Sequence, residues 1–306
     1  MSAGDHEESA GQSGQMAKLF GRALTVAAIG FVAWEINQQW DALSQWQPSG
    51  KDVLQTGGQS LLYGASLYLL AFNWQMIVGA VSNGELPHRL TLYSYTDTQI
   101  AKYIPGNVAH LVSRHVRLRN RGVSDKELGL AALLELISLP LAAVLTAAFF
   151  MTVWPIRSAT RFADLFSGPA PLVIVLLGLV AGLASFVLPP RLQWSAAARI
   201  VSLAVLIACL FMGLLGLNLS MTLSLFASSP PSTVIPAAIL AWLVGFLTPG
   251  SPGGIGTREA SILLLLNGIA PESTLLLTAL IFRMVTIGGD VVCYLSGRLL
   301  LSPDRD

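Results

Sequence analysis

The stretch FLTPGSPGGIGTREASILLLL, residues 246–266, decides how this chain is read. Within eleven residues it places Pro249, Gly250, Pro252, Gly253, Gly254 and Gly256, then Arg258 beside Glu259, then a run of leucines. Proline and glycine interrupt a helix. Yet the chain around it is 53% hydrophobic and only 11% charged over 306 residues. Soluble domains carry about 25% charged residues. Apolar runs recur from one end to the other, which reads as a polytopic helical membrane protein. Irregular backbone at membrane depth is tolerated only when protein buries it or when it lines a wet cavity. Half-helix N-termini at such breaks point inward and attract anions.

Working outward, a bilayer core asks for roughly 20 apolar residues of helix. The sequence predicts seven full spans at about 18–36, 57–81, 126–153, 170–188, 199–227, 233–248 and 273–300. Residues 1–17 read as a disordered polar tail, 18–300 as one transmembrane domain and 301–306 as a short tail. The polar segment 37–55 holds Trp40 and Trp46, suited to an interface. Seven of the 18 Lys/Arg lie between Arg89 and Lys126. The positive-inside rule puts that block, and with it the N-terminus, in the cytoplasm. Cys209 and Cys293 fall in different spans and read as small core residues.

The block 82–124 is broken in the same way as the opening stretch. Each segment has an apolar stretch ending in Pro-Gly (Pro105-Gly106; Pro249-Gly250) and a short helix reaching a glycine (Gly122; Gly268). Each then starts a long span with an acid in its first turn (Glu127; Glu272) and carries one charge well inside it (Glu135; Arg283). The fold class expected is therefore an all-α membrane bundle with two broken or re-entrant segments related as an internal repeat.

KYIPGN (102–107), the basic run ending in RNRG (119–122) and PGSPGGIGTRE (249–259) together resemble the lysylphosphatidylglycerol synthase transmembrane-region family, a flippase-like family. The resemblance covers about 18–300. It implies a multi-pass protein of the bacterial inner (cytoplasmic) membrane that handles lipids or lipid-linked groups by moving them between leaflets. No soluble stretch follows residue 300 in this sequence, so lysyl-lipid synthesis by this chain is not expected.

The candidate site residues each have two readings. Arg258 is a phosphate clamp, since a guanidinium binds phosphate oxygens bidentately, with the Gly253, Gly254 and Gly256 amides as a nest beside it. Glu259 either serves that site or caps the short helix it opens. Glu135 and Arg283 are intramembrane charges and expensive alone. Pairing with each other across the two halves is the simple account, with Asp290, seven residues after Arg283, as rival partner. His110, Arg114, Arg117 and Arg121 share a helical face. They form a topogenic cluster near anionic headgroups, or Lys102 and Arg114 line a headgroup entrance. Asp97 reads as a helix cap. Asn107 fits a turn.

The functional expectation is a non-enzymatic protein that binds and translocates an anionic phospholipid or lipid-linked intermediate. Its partners are that substrate and membrane lipids, with no nucleic acid and no cofactor. The glycine run lacks the Gly-Lys-Ser/Thr ending of a P-loop. A membrane transferase or phosphatase is the enzymatic rival, with His110 and Asp97 as its candidates. A non-transporting partner in envelope assembly is the third reading.

Overall fold

The computed structural model describes residues 37, 44, 46–82, 84, 86–104, 108–153, 169–187, 193–248 and 252–302. The expected tail 1–17, the span 18–36, Trp40, Pro105-Gly106, Asn107 and Pro249-Gly250 lie outside these residues. The chain is an all-α helical bundle. Among the described residues the helices run α1 (Gly50–Val81), α2 (His88–Thr96), α3 (Ala109–Arg119), α4 (Asp125–Val153), α5 (Ala170–Val187), α6 (Gln193–Leu223), α7 (Pro231–Leu247), α8 (Thr257–Leu265) and α9 (Glu272–Leu301). Two 3-10 turns, Gln99–Tyr103 and Pro252–Gly254, sit at the two breaks.

Among the described residues four helices are long and apolar enough to cross a membrane: α1, α4, the Ala198–Leu223 part of α6, and α9. The protein is multi-pass. Two more of the seven expected spans are shorter apolar helices among the described residues. Segment 170–188 holds the 18-residue apolar α5, and 233–248 lies in the 17-residue α7. At 1.5 Å per residue α8 reaches only about 14 Å, well short of a ~30 Å hydrocarbon core. Residues 257–265 therefore do not cross as one helix. α8 lies against α7 and α9.

Local signals explain where the long helices begin. α1 starts at Gly50, earlier than the expected 57, because Ser49 and Asp52 form a reciprocal capping box. α4 starts behind the same device, with the Glu127 carboxylate accepting from the Ser124 N–H at 2.9 Å and the Ser124 hydroxyl accepting from the Glu127 N–H at 3.3 Å. Gly122 and Gly268 both end their short helices at positive φ (92° and 84°), a conformation that favours glycine.

α1 and α9 form the inner pair; α6 packs on both, α4 on α1 and α6, and α7 on α6 and α4. Lipid tails are as apolar as leucine, so burial of apolar area does not hold such helices together; close packing and buried polar contacts do. Gly64 of α1 meets Gly289 of α9 so closely that a Cβ on Gly64 would stand 2.8 Å from the Gly289 carbonyl oxygen. A polar seam joins α1 to α6: Asn218 Nδ2 donates to the Gln59 carbonyl at 3.1 Å, and Gln55 Nε2 to the Met221 carbonyl at 2.9 Å. On the outside, α5 exposes Leu172, Leu176, Leu177, Leu179, Val180 and Leu183. A patch of that kind suits lipid and not water.

Candidate functional site

The bundle carries its buried charge at the two broken segments. Each short helix is tied to the long helix that follows it by one buried ion pair, and the polarity is reversed between the two. In the first, Arg114 of α3 pairs with Glu135 of α4. In the second, Glu259 of α8 pairs with Arg283 of α9. Glu135 lies ten residues into its helix and Arg283 eleven into its own, about 15–17 Å along the axis. The expected pairing of Glu135 with Arg283 is thus corrected. Each short helix folds back onto its own following span and brings a partner nearer than the other half does.

The two pairs differ in how completely they are satisfied. Arg114 Nη1 donates to both Glu135 oxygens at 2.9 Å, and Nε donates to Thr98 Oγ1 at 3.3 Å. Its guanidinium carbon stands 3.9 Å from the centre of the Tyr95 ring and 5.2 Å from that of Trp74. Arg114 is 2% exposed and Glu135 4%, and neither has a buried polar atom without a partner. It is a closed structural pair. The topogenic reading of Arg114 is corrected accordingly: the side chain points into the bundle, while Arg121 of the same basic run stays exposed.

Arg283 and Glu259 share a single bond, Nη1 to Oε1 at 2.9 Å. Arg283 Nε and Nη2 are buried with no partner, and so is Glu259 Oε2. Arg283 is 5% exposed and Glu259 8%. Arg258, next in the chain, forms no ion pair among the described residues, and its buried Nε is likewise unpartnered. Its guanidinium lies 5.9 Å from the centre of the Trp242 ring. Both arginines face the glycine turn. A Cβ on Gly254 would stand 2.5 Å from Arg258 Nε, and one on Gly253 3.7 Å from Arg283 Nη2. Gly253, Gly254 and Gly256 all have positive φ (58°, 76° and 77°). Gly256 is the N-cap of α8 and supplies no side chain to its first amides. Buried polar groups are nearly always paired, and each one left open costs about 1–3 kcal/mol. The cluster is therefore short of acceptors.

A third set of contacts joins the first broken segment to α9. Lys102 Nζ donates to Asp290 Oδ1 at 2.7 Å, and the Tyr103 hydroxyl donates to Oδ2 at 2.5 Å. Asp290 is fully buried. It is therefore the partner of Lys102, not of Arg283. The Tyr103 ring also covers the turn, since a Cβ on Gly253 would stand 3.1 Å from Tyr103 Cε1. Asp97 does not cap the following turn, whose N-cap is Thr98 with no side-chain bond. Its carboxylate instead bridges Arg117 and Arg298. Sequence reasoning left Tyr103 and Trp242 unassigned. Tyr103 was within reach as the neighbour of Lys102, but no sequence signal marks Trp242. Scanned against family models the chain matches none, and a search of curated proteins likewise returns no match.

Proposed function

We propose that this protein binds an anionic phospholipid or lipid-linked intermediate at the second broken helix and moves it between leaflets. The observation that carries this reading is the open cluster of Arg258 and Arg283. Two guanidiniums with unused donors face a turn of positive-φ glycines and the uncapped start of α8. A guanidinium matches phosphate oxygens in shape and charge, and a helix N-terminus adds amide donors of the same sign. The four long apolar helices put that cluster in a membrane protein, where the abundant phosphates belong to lipids. The resemblance to the flippase-like family supports the same reading, with the inner membrane as its place, and the basic block between Arg89 and Lys126 supports a cytoplasmic N-terminus.

Movement across the bilayer would use the two-part construction. Among the described residues the first broken segment meets α9 through side chains, with hydrogen bonds at Lys102–Asp290, Tyr103–Asp290, Asp97–Arg298 and from Arg89 to the Leu300 carbonyl, and with Ile100 and Tyr103 packed on Ile287 and Tyr294. Those contacts separate without breaking a helix, as rocking of one half against the other requires. Transport is the role proposed; Asp97, one candidate of the enzymatic rival, is committed to two guanidiniums.

The test is a translocation assay. Purified protein is reconstituted into vesicles holding phosphatidylglycerol with a dithionite-quenchable fluorophore on an acyl chain. The wild type should bleach the inner-leaflet fraction faster than protein-free vesicles, and folded Arg258→Ala should return to the protein-free rate. No acceleration by the wild type with any of phosphatidylglycerol, phosphatidic acid or cardiolipin would refute the proposal.

A further inference from the structure

The same cluster restricts what surrounds the phosphate; the argument rests on the reading of Arg258 and Arg283 as an anion site. Besides open donors, the cluster holds one open acceptor. Glu259 spends Oε1 on Arg283, while Oε2 is sealed from solvent and receives no hydrogen bond. A bare phosphate satisfies the guanidiniums and leaves that oxygen bare. A ligand satisfying both presents acceptor oxygens and, beside them, an O–H or N–H donor.

Charge separates the two kinds of donor. Arg258, Arg283 and Glu259 sum to one positive charge. The neighbouring ionic groups do not alter this, because Lys102 pairs with Asp290 and Arg114 with Glu135, one cation to one anion in each case. A phosphodiester with a neutral head group brings the cluster to zero. An added ammonium leaves it positive, and a dianionic phosphomonoester makes it negative. Uncompensated charge is costly away from water. We infer that the site selects a monoanionic phosphodiester whose head group carries hydroxyls, such as a glycerol, an inositol or a sugar, and that Glu259 is the specificity-determining residue, its Oε2 accepting from one of those hydroxyls.

The test uses native mass spectrometry of the full-length protein in mild detergent, offered four lipids with the same acyl chains. Phosphatidylglycerol is a phosphodiester with hydroxyl donors; phosphatidylmethanol is one without. Phosphatidylethanolamine brings an ammonium, and phosphatidic acid is a phosphomonoester. A hydrogen bond to an ionised acceptor predicts that the wild type retains phosphatidylglycerol at least about tenfold over phosphatidylmethanol. It should also retain it above phosphatidylethanolamine. Glu259→Gln keeps a bond to Arg283 while raising the cluster to two positive charges. That variant should lose the preference over phosphatidylmethanol and turn toward phosphatidic acid. Equal retention of phosphatidylglycerol and phosphatidylmethanol, both lost in folded Arg258→Ala, would overturn this inference and leave the anion site standing. A wild-type preference for phosphatidylethanolamine over phosphatidylglycerol would overturn it too. Retention indifferent to Arg258→Ala would overturn the underlying reading as well. The wild-type ranking decides the matter even if Glu259→Gln fails to fold.

Discussion

Arg114→Met is the sharpest probe of the division between a closed pair and an open one. It removes both bonds to Glu135, the bond to Thr98 and the stacking on Tyr95 and Trp74. The Glu135 carboxylate is then left buried without compensation. Breaking one side of a buried ion pair costs about 3–5 kcal/mol, and the lost ring contacts add roughly 0.5–2 kcal/mol. The pair itself is worth much less than that, because desolvation offsets most of its attraction. Arg114→Met combined with Glu135→Met should therefore recover a large part of the loss. The assay is chemical unfolding in detergent of the wild type, both single variants and the double variant, read as a double-mutant cycle. A coupling of about 2 kcal/mol or more is expected. A stable single variant, or a double variant no better than the sum of the singles, would refute the closed-pair account.

Other expectations concern packing and the contacts between the two parts. Gly289→Ala should destabilise by about 1–3 kcal/mol, since its Cβ would meet the Gly64 N–H nitrogen and the Ser60 carbonyl oxygen at 2.8 Å. Gly57→Ala, with open space around it, should be neutral or slightly stabilising in the same chemical unfolding assay. Asp290→Asn should loosen the first broken segment from α9, and hydrogen exchange of residues 99–104 should rise while that of α6 stays unchanged. Cys293, fully buried in α9, should resist maleimide in the folded protein and react only after denaturation.

Much of this architecture was legible in the sequence because it is written in local chemistry. Pro-Gly pairs and glycine runs marked both breaks. Gly122 and Gly268 announced the ends of the short helices, and Glu127 the start of α4. The charges inside the spans were visible too, but their partners were not. Composition places Glu135 and Arg283 at mid-helix; only the folding back of α3 and α8 decides that each meets a residue of its own segment. Arg114 looked like one member of a basic block, since counting charges along a helix does not show which face turns inward. Its partners, Trp74 and Tyr95, come from α1 and α2 and leave no pattern around position 114. The early start of α1 was hidden by polar residues that read as an interface, though Ser49-x-x-Asp52 carried the capping signal. Gln55 and Gln59 are polar because they serve α6, a reason that exists only in the packed bundle.

The central claim is that Arg258 and Arg283 form an anion site left open by the fold, and lipid that copurifies with the protein tests it most directly. Native mass spectrometry of the purified wild type beside Arg258→Ala, with folding of both checked by thermal melt, requires no choice of lipid beforehand. The account predicts selective enrichment of an anionic lipid by the wild type and its loss from the folded variant. Only bulk membrane lipids, in the same proportions for both proteins, would contradict it and return Arg258 to a structural role against Trp242 and the glycine turn.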